Sequence, residues 1–218
     1  MKLLSRFSLA AFVIAGLTVS AFAQEATARK EKLVVFKDIK IDLQKTPDFT
    51  LKGGTKDKKF RPKDWIEIEP EFKTEKPADA KKSEVLSELT FKYYVFLNSS
   101  VKENARVLTG EVVHTNVPID EVGHSVVYIS PSTIFQVTGK PEGNPGLVTA
   151  YAVEVTRSGS VVGFFSKFGG STVTDPSDPK GKWWESKSAP KQEAGLLSKP
   201  QTPFAPLWGD FHADVKAK

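Results

Sequence analysis

Hydrophobic alternation with a period of two is the feature of this chain that most restricts its fold. In DWIEIEPEF, Ile66, Ile68, Pro70 and Phe72 fall on one side, and Glu67, Glu69 and Glu71 fall on the other. Side chains along an extended strand point alternately to opposite faces, so such a run makes a strand with one face in a core and one toward water. KLVVFKDIKIDL repeats the pattern through Leu33, Val35, Ile39, Ile41 and Leu43, with Lys37 as the one break. ELTFKYYVFLN does so through Leu89, Phe91, Tyr93, Val95 and Leu97. The three glutamates of the first run read as a solvated outer face, because carboxylates are rarely buried without partners. Pro70 has no N–H to give a ladder, so it predicts an edge strand or a bulge.

Further strands follow the same logic. NSSVKENAR is a polar turn, and RVLTGEVVHTNVP after it is expected to run antiparallel to the strand before it. GHSVVYIS is another strand, and VEVTRSGSVVGFF is a hairpin turning at Ser158-Gly159, where glycine admits a positive φ. SPSTIFQVTGK is the one short helix: Ser130 caps it, Pro131 opens it and Gly139 ends it. Thr46–Asp64, Glu75–Lys82 and Phe168–Ser188 read as loops. About eight strands, many turns and one helix predict an all-β fold, an immunoglobulin-like β-sandwich. TPFAPLWGDFHADV is too apolar for a free tail. It is expected to pack on the sandwich, burying Trp208 and Phe211, with Phe211–Val215 adding a strand.

The first residues set the compartment. Lys2 and Arg6 precede an apolar run from Leu9 to Ala23 that ends in Ala21-Phe22-Ala23, the layout of a secretory signal peptide. The run is shorter than the ~20 residues that span a bilayer. A pilin leader would be cut after a glycine and carry a glutamate five residues into the mature chain. Gly16 is the only leader glycine, and Ala21 stands where that glutamate would be. The expected organisation is therefore a signal peptide at 1–23, a flexible linker at 24–31 and one sandwich domain at 32–218, with no transmembrane anchor after cleavage. Intact-mass measurement of the exported protein should give an N-terminus at Gln24; a mass retaining residues 17–23 contradicts the cleavage site.

Composition narrows the chemistry. The chain has no cysteine, which excludes disulfides, thiol nucleophiles and thiolate metal sites. Its net charge of +5 includes two leader basics. The remainder is mixed along the chain, without the clustered basic face that nucleic acid requires. His114, His124 and His212 are far apart and show no metal-ligand spacing, so they read as solvated strand-end residues. Ser99-Ser100-Val101-Lys102 matches S-x-x-K but sits in a turn, without its companion motifs. Asp175 and Asp178 share a loop with too few oxygen ligands in alternation for calcium. No catalytic set, cofactor or metal is expected. The remaining candidates are Trp183 and Trp184, loop aromatics that can stack on a glycan, anchor a protein partner, or fold down to seal the sandwich.

Taken together, the leader, DWIEIEPEF, HSVVYISPSTI and KPQTPFAPLWGDF resemble the pilus-like exported proteins of Akkermansia and related Verrucomicrobia. The resemblance spans most of the mature chain. It implies an immunoglobulin-like sandwich related to archaeal pilus subunits, and a non-enzymatic place in the outer envelope beside a type IV pilus-like system. The implied partners are pilus or outer-envelope proteins, with host glycans or receptors beyond them, and no catalytic residue comes with the resemblance. The expected location is the periplasm, the outer membrane or the cell surface. The residues themselves leave a second reading open, a carbohydrate-binding module for mucin glycans that works through the loop tryptophans.

Overall fold

The computed structural model describes residues 32–49, 60–77 and 85–216. The signal peptide, the 24–31 linker and the inner parts of the two loops expected at 46–64 and 75–82 lie outside the described residues. Eleven strands occur among those described: β1 (Val34–Lys45), β2 (Asp64–Thr74), β3 (Val85–Leu97), β4 (Arg106–Pro118), β5 (Val122–His124), β6 (Val127–Ile129), β7 (Val148–Arg157), β8 (Ser160–Phe168), β9 (Ser171–Val173), β10 (Gln192–Ala194) and β11 (Leu196–Ser198). One sheet runs β1-β2-β6-β11, with β5 also beside β2; the other runs β10-β4-β3-β7-β8-β9. The all-β sandwich expected from the periodicity is the fold. The strand count exceeds eight because short strands such as β5, β9, β10 and β11 have only three residues each, too few to show a period.

The core lies between the two sheets. Leu89, Phe91, Tyr93, Val95 and Leu97 of β3 are fully buried, as are Ile66, Ile68 and Phe72 of β2. The hairpin turns where expected, with Ser158 at φ 49° and Gly159 at φ 81°, the pair of positive angles that a two-residue turn needs to match strand twist. The helix α1 (Pro131–Thr138) is capped by Ser130, whose Oγ accepts from Thr133 N at 3.2 Å, and it ends at Gly139 in the left-handed region. Among the described residues no helix is long and apolar enough to cross a membrane.

Pro70 occupies neither an edge nor a bulge. It lies within β2, between β1 on one side and β5 and β6 on the other, paired with Ile39. Its carbonyl accepts from Ser125 N at 3.1 Å. A strand residue's N–H and C=O point to the same side, so the missing N–H would face Ser125. There β5 has ended at His124 and β6 has not begun until Val127, so the ladder asks for no donor.

The last third of the chain changes the picture that alternation predicts. Residues 174–191 lie over the outer face of the larger sheet and residues 199–212 over the outer face of the smaller, while residues 213–216 run along β4, where Ala213 and Val215 pack against the core between the sheets. Between them β10 pairs parallel to β4, and β11, one residue later, pairs antiparallel to β6. The chain thus crosses from one sheet to the other at Gly195. Gly110 of β4 permits that crossing, since a Cβ there would lie 2.6 Å from Leu196 Cβ. Each outer face gains its own apolar cluster: Tyr94, Val107, Ala150, Ala152, Phe164, Trp183 and Trp184 on one, and Trp65, Val126, Tyr128 and Phe204 on the other.

Two expectations are corrected here. The Glu67/Glu69/Glu71 face is not an open solvated face, because Glu67 is only 6% exposed and Glu69 is half-buried beneath the C-terminal segment. That segment packs on the sandwich as expected, but by other residues. Phe204 is buried, whereas Trp208 and Phe211 are 44% and 49% exposed. In place of a strand over Phe211–Val215 there is a single bridge, Val215 to His114.

Candidate functional site

The two loop tryptophans lie on the outer face of β3 and β8. A 3₁₀ segment, Pro179–Glu185, carries them, and Asp178 caps its start by accepting from Lys180 N at 2.9 Å. Gly181 lets this segment descend onto the sheet: a Cβ there would meet the Phe164 ring at 2.8 Å. Trp184 stacks on Tyr94 at 4.0 Å and 13°. Trp183 stands perpendicular to Trp184 at 5.5 Å and lies parallel to Phe168 at 5.8 Å. Both indoles are buried, at 8% and 3% exposure. They therefore present no flat exposed pair for a sugar ring. Trp184 is a sealing residue, while Trp183 also borders a groove.

That groove encloses about 1470 Å³. Phe96, Trp183 and Phe168 supply its aromatic surface, with Phe168 half-exposed. Trp183 Nε1–H is buried with no acceptor among the described residues, an arrangement that costs about 1–3 kcal/mol when nothing satisfies it. Five basic side chains line the groove against two acidic ones, Glu103 and Glu185. Arg106 is paired with Glu193 at 3.3 Å, and Lys182 lies between Glu154 at 3.7 Å and Glu185 at 3.9 Å. Lys102, Lys180 and Lys191 have no carboxylate partner among the described residues. Ser99 and Ser100 of the S-x-x-K match also line the groove, in a turn where Ser99 Oγ accepts from Val101 N at 3.2 Å. Asp175 is occupied in a turn, accepting at Oδ1 from Ser177 N and Oγ. The tryptophans were visible in the sequence. Phe168 and the three lysines were not, since Phe168 ends β8, Lys102 lies before β4, and Lys180 and Lys191 lie between β9 and β10, with no common spacing.

The histidines, far apart in sequence, converge at the opposite face. They are not solvated strand ends: His114 and His212 are buried, and His124 is half-buried. His212 Nε2 lies 3.1 Å from Glu69 Oε2, and His124 Nδ1 lies 3.5 Å from Glu69 Oε1. Lys199 Nζ donates to the Trp208 carbonyl at 3.0 Å and approaches His212 Nδ1 at 3.3 Å. An ammonium has only donors, so Nδ1 is the accepting nitrogen and Nε2–H faces the carboxylate. Burial pulls the Glu69 pKa upward; the His212 hydrogen bond, with the charges of His212, His124 and Lys40, outweighs it and leaves the carboxyl below its usual range. Burial lowers Lys199.

His114 belongs to a second chain of hydrogen bonds. Its Nδ1 lies 3.1 Å from the carbonyls of Ala213 and Asp214, so that nitrogen carries the proton. Its Nε2 then accepts from Ser125 Oγ at 2.6 Å, and Tyr93 donates to Ser125 at 2.5 Å. A serine and a histidine in contact invite comparison with a nucleophile and its base. Here Ser125 is 0% and His114 1% exposed, so no substrate reaches either. Burial pushes His114 from its ordinary 6.5 down to about 4. The chain fastens the C-terminal segment to the core. Among the described residues no group of three or more His, Cys, Asp or Glu side chains is arranged to hold a metal ion.

Comparison with known proteins bears on what this arrangement belongs to. A family model matches residues 25–218, nearly everything after the apolar leader. A crystal structure of a protein from Akkermansia muciniphila is similar over 85% of this chain and 94% of that chain, with 27% sequence identity and a TM-score of 0.67. The comparison with curated proteins gives no match. The chain belongs to the family whose model spans residues 25–218, and it is similar in fold to the A. muciniphila protein.

Proposed function

We propose that this protein is an exported, non-enzymatic envelope component that holds a partner protein in the groove beside Trp183, as an accessory part of a type IV pilus-like system. The groove carries the reading. It combines an aromatic floor, a half-exposed phenylalanine that can anchor a side chain, and a polar rim, which is the anatomy of a recognition surface. The Ser125–His114 contact, a serine and a histidine within hydrogen-bond distance, is sealed inside the protein and serves packing. The pilus association rests on the resemblance of the leader and three internal stretches to exported pilus-like proteins.

Cross-linking in the intact envelope tests this reading. A photoreactive phenylalanine analogue replacing Phe168 should capture one envelope protein, and mass spectrometry should identify it as a component of the pilus-like system. The same analogue replacing Phe135, exposed on α1, should not. No adduct at position 168, or the same adducts from both positions, overturns the reading. Binding on a glycan array without any protein adduct would replace it with the carbohydrate-binding one.

A further inference from the structure

We infer that the groove takes an extended, acidic peptide segment with an apolar anchor residue. This rests on the groove being a partner-binding site and specifies the partner's chemistry.

Size comes first. At about 1470 Å³ the groove exceeds the ~300–1,000 Å³ typical of small-molecule sites, so a stretch of polymer fits it better than a single small ligand. Charge comes second. The two basic residues that already have carboxylate partners, Arg106 and Lys182, leave Lys102, Lys180 and Lys191 as the available cations. All three are exposed; Lys102 lies in the turn before β4, and Lys180 and Lys191 lie in the segment between β9 and β10. Three ammonium groups without a carboxylate partner among the described residues, all lining one groove, complement carboxylates.

The sheet edge decides between a peptide and an anionic sugar. Among the described residues β9 ends the larger sheet, paired with β8 alone. Its alternate residues Ser171 and Val173 line the groove. A strand edge offers backbone N–H and C=O groups at the spacing of a β-ladder, which an extended peptide matches and the hydroxyls of a sugar ring do not. The rings also favour a peptide. Trp183 is buried to 8% exposure and perpendicular to Trp184, so it gives no open face for a pyranose, whereas the half-exposed Phe168, stacked on Trp183 at 5.8 Å, suits an aliphatic or aromatic side chain.

The test is selection from a random decapeptide phage library on the purified protein comprising residues 24–218. Enriched peptides should carry a net negative charge around one apolar residue. Their synthetic versions should bind at least tenfold more weakly to the Lys102→Glu/Lys180→Glu/Lys191→Glu variant, and more weakly again at 300 mM salt than at 50 mM. The three lysines are exposed, so the variant should keep the wild-type melting temperature. A second variant, Phe168→Ala, should lose binding without changing the charge preference of what remains. Neutral or basic enriched peptides, no enrichment, or an unchanged affinity in the lysine variant overturns the inference. So does binding of a sulfated oligosaccharide where acidic peptides fail. If the cross-link at position 168 is found while acidic peptides fail, the groove remains a binding site and only its charge selectivity is refuted.

Discussion

A chain ending at Ser198 should not fold into a stable domain. The residues it lacks are not an appendage, because they are the outer wall of the smaller sheet. Phe204 is 1% exposed, stacked on Tyr128 at 4.7 Å and edge-on to Trp65 at 5.6 Å. His212 and Lys199 lie beside Glu69 and Glu67, which would otherwise face water across a bare sheet. Backbone bonds tie the segment to both sheets: Ala213 N to His124 O at 2.9 Å, Thr115 N to Asp214 O at 3.0 Å, and Lys216 N to Val113 O at 2.8 Å. Losing a buried phenylalanine alone costs roughly 3–5 kcal/mol, against a net stability of ~5–15 kcal/mol for a typical domain. Phe204→Ala should therefore lower the urea unfolding free energy by about 3–5 kcal/mol, and the truncation should give insoluble or molten product. A truncated protein with a wild-type melting temperature would show that the segment is only a cover. Trp208→Ala and Phe211→Ala, at half-exposed positions, should cost much less than Phe204→Ala.

Acid should destabilise the protein well above the range where ordinary carboxylates titrate. His114 is held neutral inside the fold, with its pKa pushed from 6.5 to about 4 by burial. Above pH 6.5 neither the folded nor the unfolded chain protonates this ring. Between 6.5 and 4 the unfolded chain binds a proton that the folded chain refuses, so stability falls as pH falls. Below 4 both forms are protonated and the loss is complete, at about 3 kcal/mol, since one pKa unit is worth about 1.4 kcal/mol. Glu69, whose carboxyl titrates below its usual value, adds a further loss in the same direction as pH drops through its folded pKa. Urea unfolding at pH 7 and pH 4.5 should show the decline. His114→Gln should be less stable at pH 7 but have a shallower pH dependence. An equal slope in variant and wild type would assign the acid sensitivity to other groups. Protonation here also removes the acceptor of the Ser125 hydroxyl proton, since an imidazolium Nε2 can only donate.

What the sequence determined is the sandwich itself. Period-two runs at Asp64–Phe72, Lys32–Leu43 and Glu88–Asn98 state which side chains face a core. A strand's two faces are a local consequence of backbone geometry, so no knowledge of neighbours is needed. The helix at Pro131–Thr138 and the turn at Ser158-Gly159 are local in the same sense, because cap, proline and glycine act within a few bonds. Trp183 and Trp184 could be singled out because two large rings in a polar loop are unusual wherever they come to rest.

The tertiary structure decided what lies on the outside. Alternation shows that Glu67 and Glu69 point away from the core, but not that residues 199–212 return to cover them. The pairing of Glu69 with His212 links residues 143 positions apart, and no local rule relates such positions. The same holds for Ser125 with His114, and for Pro70, which is tolerated in a central strand only because the neighbouring ladder breaks opposite it. The groove is the extreme case: its lysines come from a turn near residue 102 and a loop spanning residues 180–191, and its edge from β9. Local patterning specifies the faces of a strand because the backbone sets them. Which distant segment covers a face depends on how the whole chain buries its remaining apolar side chains, and that is settled only in the folded molecule.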